Sequence, residues 1–265
     1  MAPKRLLNSF LVLGAAGILA IALLITFLWL ERTTEAELPA PTGSFAVGRT
    51  IFDWRDDRTV DALAPKPDSR REVLVWIWYP CEPRASATAE DYIPTYIRAA
   101  AGPARGPMRF VTRDVSKVHA HSFRDPNVSP AQPTFPVVIL RGGASANVTN
   151  YTTLAEDLAS HGYVVAGIDA PYRTSLVVFS DGRVIRRTPE NNPELYSGDE
   201  LQSVGRKLMA AWTSDIAFAL DRLAQLNASD PSGRFLGRLD MTHVGVVGHS
   251  FGGAQAAEFC HVDSR

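Results

Sequence analysis

Near its carboxyl end the chain runs Val244-Gly245-Val246-Val247 straight into Gly248-His249-Ser250-Phe251-Gly252, and residues 252–259 then have helical spacing. No other stretch limits the fold as much. A Gly-x-Ser-x-Gly string arises by chance in roughly one chain of this length in ten at average glycine usage. Here an apolar strand precedes it and a helix follows, the context in which such a turn exposes its serine above a sheet. Gly248 and Gly252 predict a turn too tight for side chains at those positions, with the serine in strained backbone. The Phe251 N–H opens a helix whose dipole favours negative charge, so it is aimed at an oxyanion forming beside the Ser250 hydroxyl.

Upstream, apolar runs alternate with amphipathic segments. Pro136-Val137-Val138-Ile139-Leu140 is followed by helical spacing over residues 151–161 and by a second apolar run, residues 163–168. A longer helix is predicted over residues 201–227, where Val204, Leu208, Trp212, Ile216, Leu220 and Leu223 recur every third or fourth position. This alternation predicts an α/β fold: a mostly parallel sheet with helices on both faces. The first clear strand is residues 72–79, β-branched and aromatic, stopped by Pro80. Residues 85–132 read as loop-rich, with helices over 91–101 and 108–118. Ser180-Asp181-Gly182 between two apolar runs predicts a hairpin. It leaves the carboxyl end of a strand, where ligands bind in such sheets, and reads as part of the substrate-pocket rim, the alternative being a surface hairpin with no role. After strand 136–140 comes Arg141-Gly142-Gly143-Ala144-Ser145, whose glycines let the backbone approach a substrate and whose place in the fold is that of a second oxyanion donor. It lacks the Gly-Lys-Ser/Thr ending of a phosphate loop and the full Gly-x-Gly-x-x-Gly of a dinucleotide site.

The amino end sets a second constraint. Lys4 and Arg5 precede residues 6–30, which carry no charge. At about 1.5 Å per helical residue that stretch crosses a hydrocarbon core of about 30 Å. Trp29-Leu30-Glu31-Arg32 follows where a cleaved signal would have a small-x-small site, so the segment reads as an uncleaved signal anchor, the alternative being cleavage and secretion. Lys4 and Arg5 place the rest of the chain outside the cytoplasm. The division is a transmembrane helix at residues 1–30, a Pro/Thr-rich linker at 31–44 and an α/β domain at 45–265.

Charge excludes other classes. Lysine plus arginine (27) nearly balances aspartate plus glutamate (28), which gives no field for nucleic acid. Cys81 and Cys260 have no metal-ligand spacing and read as two buried free thiols, with a disulfide the alternative outside the cytoplasm. No metal and no cofactor is expected. Nothing in the sequence sets an oligomeric state.

Three segments carry a resemblance: Gly248-His249-Ser250-Phe251-Gly252-Gly253-Ala254, residues 157–166 around His161-Gly162-Tyr163, and Val75-Trp76-Ile77-Trp78-Tyr79-Pro80. From about residue 48 to residue 260 the chain resembles the plasma-type platelet-activating factor acetylhydrolases and their bacterial relatives, which look like dienelactone hydrolases. The resemblance implies an α/β-hydrolase fold and metal-free hydrolysis of short acyl esters, including acetyl and oxidised acyl groups of phospholipids, by a Ser-Asp-His triad. It implies Ser250 as nucleophile and the backbone amides of Phe251 and Ala144 as the oxyanion hole. One departure is Gly142-Gly143, preceded by Arg141, where the family has His-Gly.

The other departure concerns the triad. In this family the acid and the histidine follow the serine in the chain, and the sequence stops at Arg265. His249 should point away from Ser250, and His261 and Asp263 lie about three helical turns beyond it. His119, His121, His161 and His243 read as capping or surface residues, and Asp169 and Asp215 as loop or packing partners. Without a base the Ser250 hydroxyl stays protonated, so these residues alone are expected to be nearly inactive and the sheet to lack its later strands. The leading expectation is a membrane-anchored serine esterase acting on a small-molecule or lipid ester. A hydrolase-fold relic kept as a binding domain, and a serine acyltransferase, are the alternatives.

Overall fold

The computed structural model describes residues 2–102, 106, 112–144 and 146–265. Helix α1, Ala2–Thr33, is followed by strands β1, Ala46–Val60, and β2, Arg70–Glu82, and by helix α2, Thr95–Ala101. Then come β3 (Phe135–Arg141), α3 (Thr152–Ser160), β4 (Val164–Asp169), a small hairpin of β5 (Leu176–Val178) and β6 (Val184–Arg186), α4 (Gly198–Ala228), β7 (Leu239–Gly248) and α5 (Phe251–Val262). The main sheet has the order β7-β3-β4-β2-β1, with Phe123–Arg124 beyond β1 and Asn127–Val128 paired to the end of β2.

The sheet is mostly parallel, as expected, with one reversed strand among the five. β7, β3 and β4 are parallel, whereas β2 runs antiparallel to both β4 and β1. β1 is the strand that sequence patterning missed, because Arg49, Asp53, Arg55 and Asp56 interrupt its apolar residues. Pairing with β2 carries it: Ala46 lies opposite Cys81, and the register holds as far as Asp56 opposite Arg71. Arg49 tolerates full burial because its Nη2 donates to Glu90 Oε2 at 2.9 Å and to Asp91 O at 2.9 Å.

Period-two alternation divides the core. Val73, Val75, Ile77 and Tyr79 of β2 face a cluster with Ile216, Ala219, Leu220 and Leu223 of α4 and Phe259 of α5. Leu74, Trp76 and Trp78, between them, face Val148, Ala155 and Ala159 on the α3 side. Helices therefore cover both faces, as expected. The expected hairpin is present, with Val184 opposite Val178 and Gly182 at φ 85°. β7 stands at the sheet edge, and Val244, Val246 and Val247 are only half-buried.

Other expectations need correction. α2 starts at Thr95 rather than near residue 91, because Pro94 occupies the cap and Asp91 bridges to His119. The helix expected over residues 108–118 lies partly outside the described residues; within them Val115–Lys117 is a 3-10 turn and Val118–His119 a short strand. Residues 31–44 do not hang free. Ala36–Glu37 pairs in parallel with Val118–His119, the Thr42 N–H and hydroxyl both donate to Asp157 Oδ1 at 2.8 Å, and the Gly43 N–H donates to Ser160 Oγ at 2.9 Å. Those partners are more than 75 residues away, beyond the range of local patterning. Cys260 is exposed rather than buried, since α5 buries Gly252, Gln255, Ala256 and Phe259. Cys81 is a buried free thiol, pushed up to about 12 by that burial.

Candidate active site

β7 ends at Gly248 and α5 begins at Phe251, so the chain reverses within two residues. Ser250 takes up the reversal at φ 54°, ψ −123°, in the positive-φ region that L side chains rarely enter. Its side chain is exposed. The Gly252, Gly253 and Ala254 N–H groups are taken by the carbonyls of His249 and Ser250. The Phe251 N–H, at the first helical position, has no carbonyl of its own helix to reach and sits where the dipole is positive. Space dictates the glycines. A Cβ on Gly248 would meet the Gly252 carbonyl oxygen at 2.2 Å, and one on Gly252 would meet the Arg141 and Gly142 carbonyl oxygens at 2.5 Å.

The loop after β3 lies against this turn. A Cβ on Gly143 would stand 3.5 Å from both Ser250 Cβ and His249 Nδ1. The Gly143 N–H donates to Tyr151 Oη at 3.1 Å, and Arg187 Nη1, next to the β5–β6 hairpin, donates to the Ala144 carbonyl at 3.4 Å. Arg141 turns away from the solvent. It is fully buried beneath the turn, donating through Nε to Gln255 Oε1 at 3.0 Å and through Nη1 to the Ile168 carbonyl at 2.8 Å, with its guanidinium 5.2 Å from the Trp212 ring centroid. Burial lowers its pKa to about 10, which leaves it protonated at neutral pH. Trp212 meets Phe251 edge-on with centroids 5.2 Å apart. One cation thus ties β3, β4, α4 and α5 together under the serine.

The histidines go elsewhere. His119 pairs with Glu35 at 2.7 Å, His121 Nε2 with the Leu38 carbonyl at 2.7 Å, His161 with Thr42 at 3.0 Å and His243 with Asp240 at 2.7 Å, while His261 is exposed on α5. His249 points to Tyr151, and Asp263 pairs with Arg265. Among the described residues no side chain hydrogen-bonds to the Ser250 hydroxyl. Asp215 is a packing partner, as expected: Arg173 donates to both of its oxygens, at 2.9 and 2.8 Å, and to both oxygens of Asp61, at 3.1 and 2.9 Å, all three residues being buried. Asp169, at the end of β4, accepts from the Val148 N–H at 2.9 Å and from Asn147 Nδ2 at 3.3 Å, which pins the far end of the loop after β3. Burial raises its pKa to about 7. It also lines a cavity of about 270 Å³ with Trp76, Tyr92, Ile97, Asn147 and Val178.

Sequence reasoning singled out Ser250, Phe251, Gly248, Gly252 and Ala144, and folding brings all five to one end of β7 and β3. It missed the structural tasks of Arg141, Tyr151 and Gln255. Separations of 114 residues for Arg141 with Gln255 and 98 for Tyr151 with His249 leave no local signal.

Solved and curated proteins resemble this chain. A ferulic acid esterase from Streptomyces cinnamoneus superposes with a TM-score of 0.68 at 27% identity, covering 87% of this chain and 60% of that one. The fold is an esterase-type α/β-hydrolase. A protein of Arthroderma benhamiae named probable 1-alkyl-2-acetylglycerophosphocholine esterase is 24% identical over 249 residues, 86% of this chain and 56% of the relative. The platelet-activating factor acetylhydrolase of Canis lupus familiaris is 25% identical over 146 residues, 49% of this chain and 33% of the relative. The chain thus spans about half or less of the length of these curated relatives. The family model for platelet-activating factor acetylhydrolase, isoform II, matches residues 31–265, and the chain belongs to that family.

Proposed function

We propose that this chain supplies the nucleophile and oxyanion hole of a serine carboxylic-ester hydrolase for short or oxidised acyl esters, phospholipids included. The observation that carries the reading is Ser250 itself, an exposed hydroxyl held at φ 54° where β7 meets the amino end of α5, with the Gly143 backbone beside it. Ser250 Oγ attacks the acyl carbonyl, and the Phe251 and Ala144 N–H groups hold the developing oxyanion. The alcohol leaves with a proton, and water releases the acid from acyl-Ser250. The serine proton needs a base, and none of the described histidines is bonded to Ser250.

The substrate class rests on the family and on the names its relatives carry. The membrane setting rests on α1: residues Leu11–Thr33 have mean hydropathy 2.7 and none of that apolar window is buried against the domain. Its base is tied down by Glu31 with Arg113 at 2.8 Å and Glu35 with Lys117 at 2.7 Å, so the anchor holds the domain close to the outer lipid surface as a single-pass protein. The test is labelling of the full-length protein with a fluorophosphonate. Label lost in Ser250→Ala supports the assignment, and label retained there overturns it.

A further inference from the structure

Tyr151 stands at the junction of a 3-10 turn, Val148–Tyr151, with α3, and its hydroxyl reaches across to two separate parts of the site. It accepts the Gly143 N–H at 3.1 Å and lies 3.1 Å from His249 Nδ1, with the two rings 5.8 Å apart at 44°. The ring packs on Gly142, where a Cβ would meet Tyr151 Cε2 at 3.2 Å and the Ala146 carbonyl oxygen at 3.0 Å. Its base is fixed as well, because the Val148 N–H donates to buried Asp169. One phenol therefore joins the oxyanion loop to the residue preceding Ser250.

We propose that Tyr151 is the positioning residue of the oxyanion hole. Its hydroxyl, clamped between Gly143 and His249, fixes the distance from loop to nucleophile, an inference that rests on Ser250 being the nucleophile. A phenol has one proton and two lone pairs. Using every donor, Gly143 N–H gives to Oη and the Tyr151 O–H gives to His249 Nδ1, which leaves the His249 proton on Nε2. The Gly143 N–H is thereby consumed, and Ala144 remains as the loop's donor to the oxyanion. The same clamp bears on Gly142, where a side chain would press on the ring that orders Gly143.

Phenylboronic acid tests this without turnover. Ser250 Oγ bonds to boron, the serine proton passes to solvent, and boron becomes a tetrahedral anion with one oxygen in the oxyanion position. In full-length protein, boron-11 NMR should show a tetrahedral signal that Ser250→Ala removes. Tyr151→Phe should weaken the adduct on the order of 10-fold to 100-fold, the scale of an ångström-sized misplacement, with an unchanged thermal midpoint and a shifted His249 Nδ1 resonance in nitrogen-15 spectra. Wild-type affinity in Tyr151→Phe overturns the positioning role alone. No tetrahedral signal in the wild type, or one that survives Ser250→Ala, overturns the nucleophile assignment beneath it. Should Tyr151→Phe fail to fold, hydrogen exchange at the Gly143 amide decides: slow exchange supports the clamp and open exchange overturns it.

Discussion

Gly248 and Gly252 approach so closely that a methyl group on the first would stand 2.2 Å from the carbonyl oxygen of the second. The serine's strained angles persist because strand and helix backbones meet there with no room to relax. Gly248→Ala and Gly252→Ala should each cost about 1–3 kcal/mol, the range of core overpacking, and should abolish fluorophosphonate labelling. Gly253→Ala, whose Cβ would lie 3.2 Å from the Gly248 carbonyl oxygen, should be milder on both counts. Thermal melts and labelling of the three variants check this, and a Gly252→Ala protein that labels like wild type would sink it.

Arg173 neutralises two carboxylates that share its burial, Asp61 and Asp215. Removing the guanidinium leaves both without a counter-charge, so Arg173→Ala should destabilise by about 3–5 kcal/mol, as for other broken buried pairs. Arg173→Lys should rescue little, because a single ammonium cannot fork to both partners. Urea denaturation of the two variants measures it.

Burial keeps the Asp169 carboxyl protonated up to about 7, whereas in an unfolded chain it ionises near about 3.9. Between those values the folded state holds the extra proton, so stability falls as pH rises through the window and the loss is complete above about 7. Relative to Asp169→Asn, which does not titrate, wild type should lose on the order of 4 kcal/mol between about pH 4 and pH 8, from the size of that shift. Parallel denaturation curves across that range would show it, and a difference independent of pH would refute it.

A helix with the composition of α1 should hold the protein in membranes against alkaline carbonate. Deleting residues 1–30 should release a soluble domain that keeps its labelling and thermal midpoint, because the side chains of residues 11–25 make no buried contact with the domain. Retention of the shortened protein in the pellet would point to a second membrane-binding surface.

What could be read from the chain was whatever repeats over a few residues. The alternation of β2, β3 and β4, the 3.6-residue stripe of α4, the uncharged run of α1 and the glycines around Ser250 are local consequences of backbone geometry. They were enough to place Ser250, Phe251 and the Ala144 loop. β1 escaped, since a strand with Arg49 and Asp53 is made apolar only by distant partners such as Glu90. The same holds for residues 31–44, which are docked by Asp157, Ser160 and residues 113–119 rather than by any pattern of their own.

The sequence by itself determined that a serine would stand on a strand–helix turn behind an apolar segment, because tight turns and hydrophobic periodicity are set by neighbours along the chain. Only the tertiary structure decided what steadies that serine. Arg141 beneath it, Tyr151 beside it and the Asp61–Arg173–Asp215 cluster deeper in the core depend on pairing between distant segments, 114 residues for Arg141 with Gln255, 98 for Tyr151 with His249, and 112 and 42 for Arg173 with Asp61 and Asp215, and such pairing has no local signature.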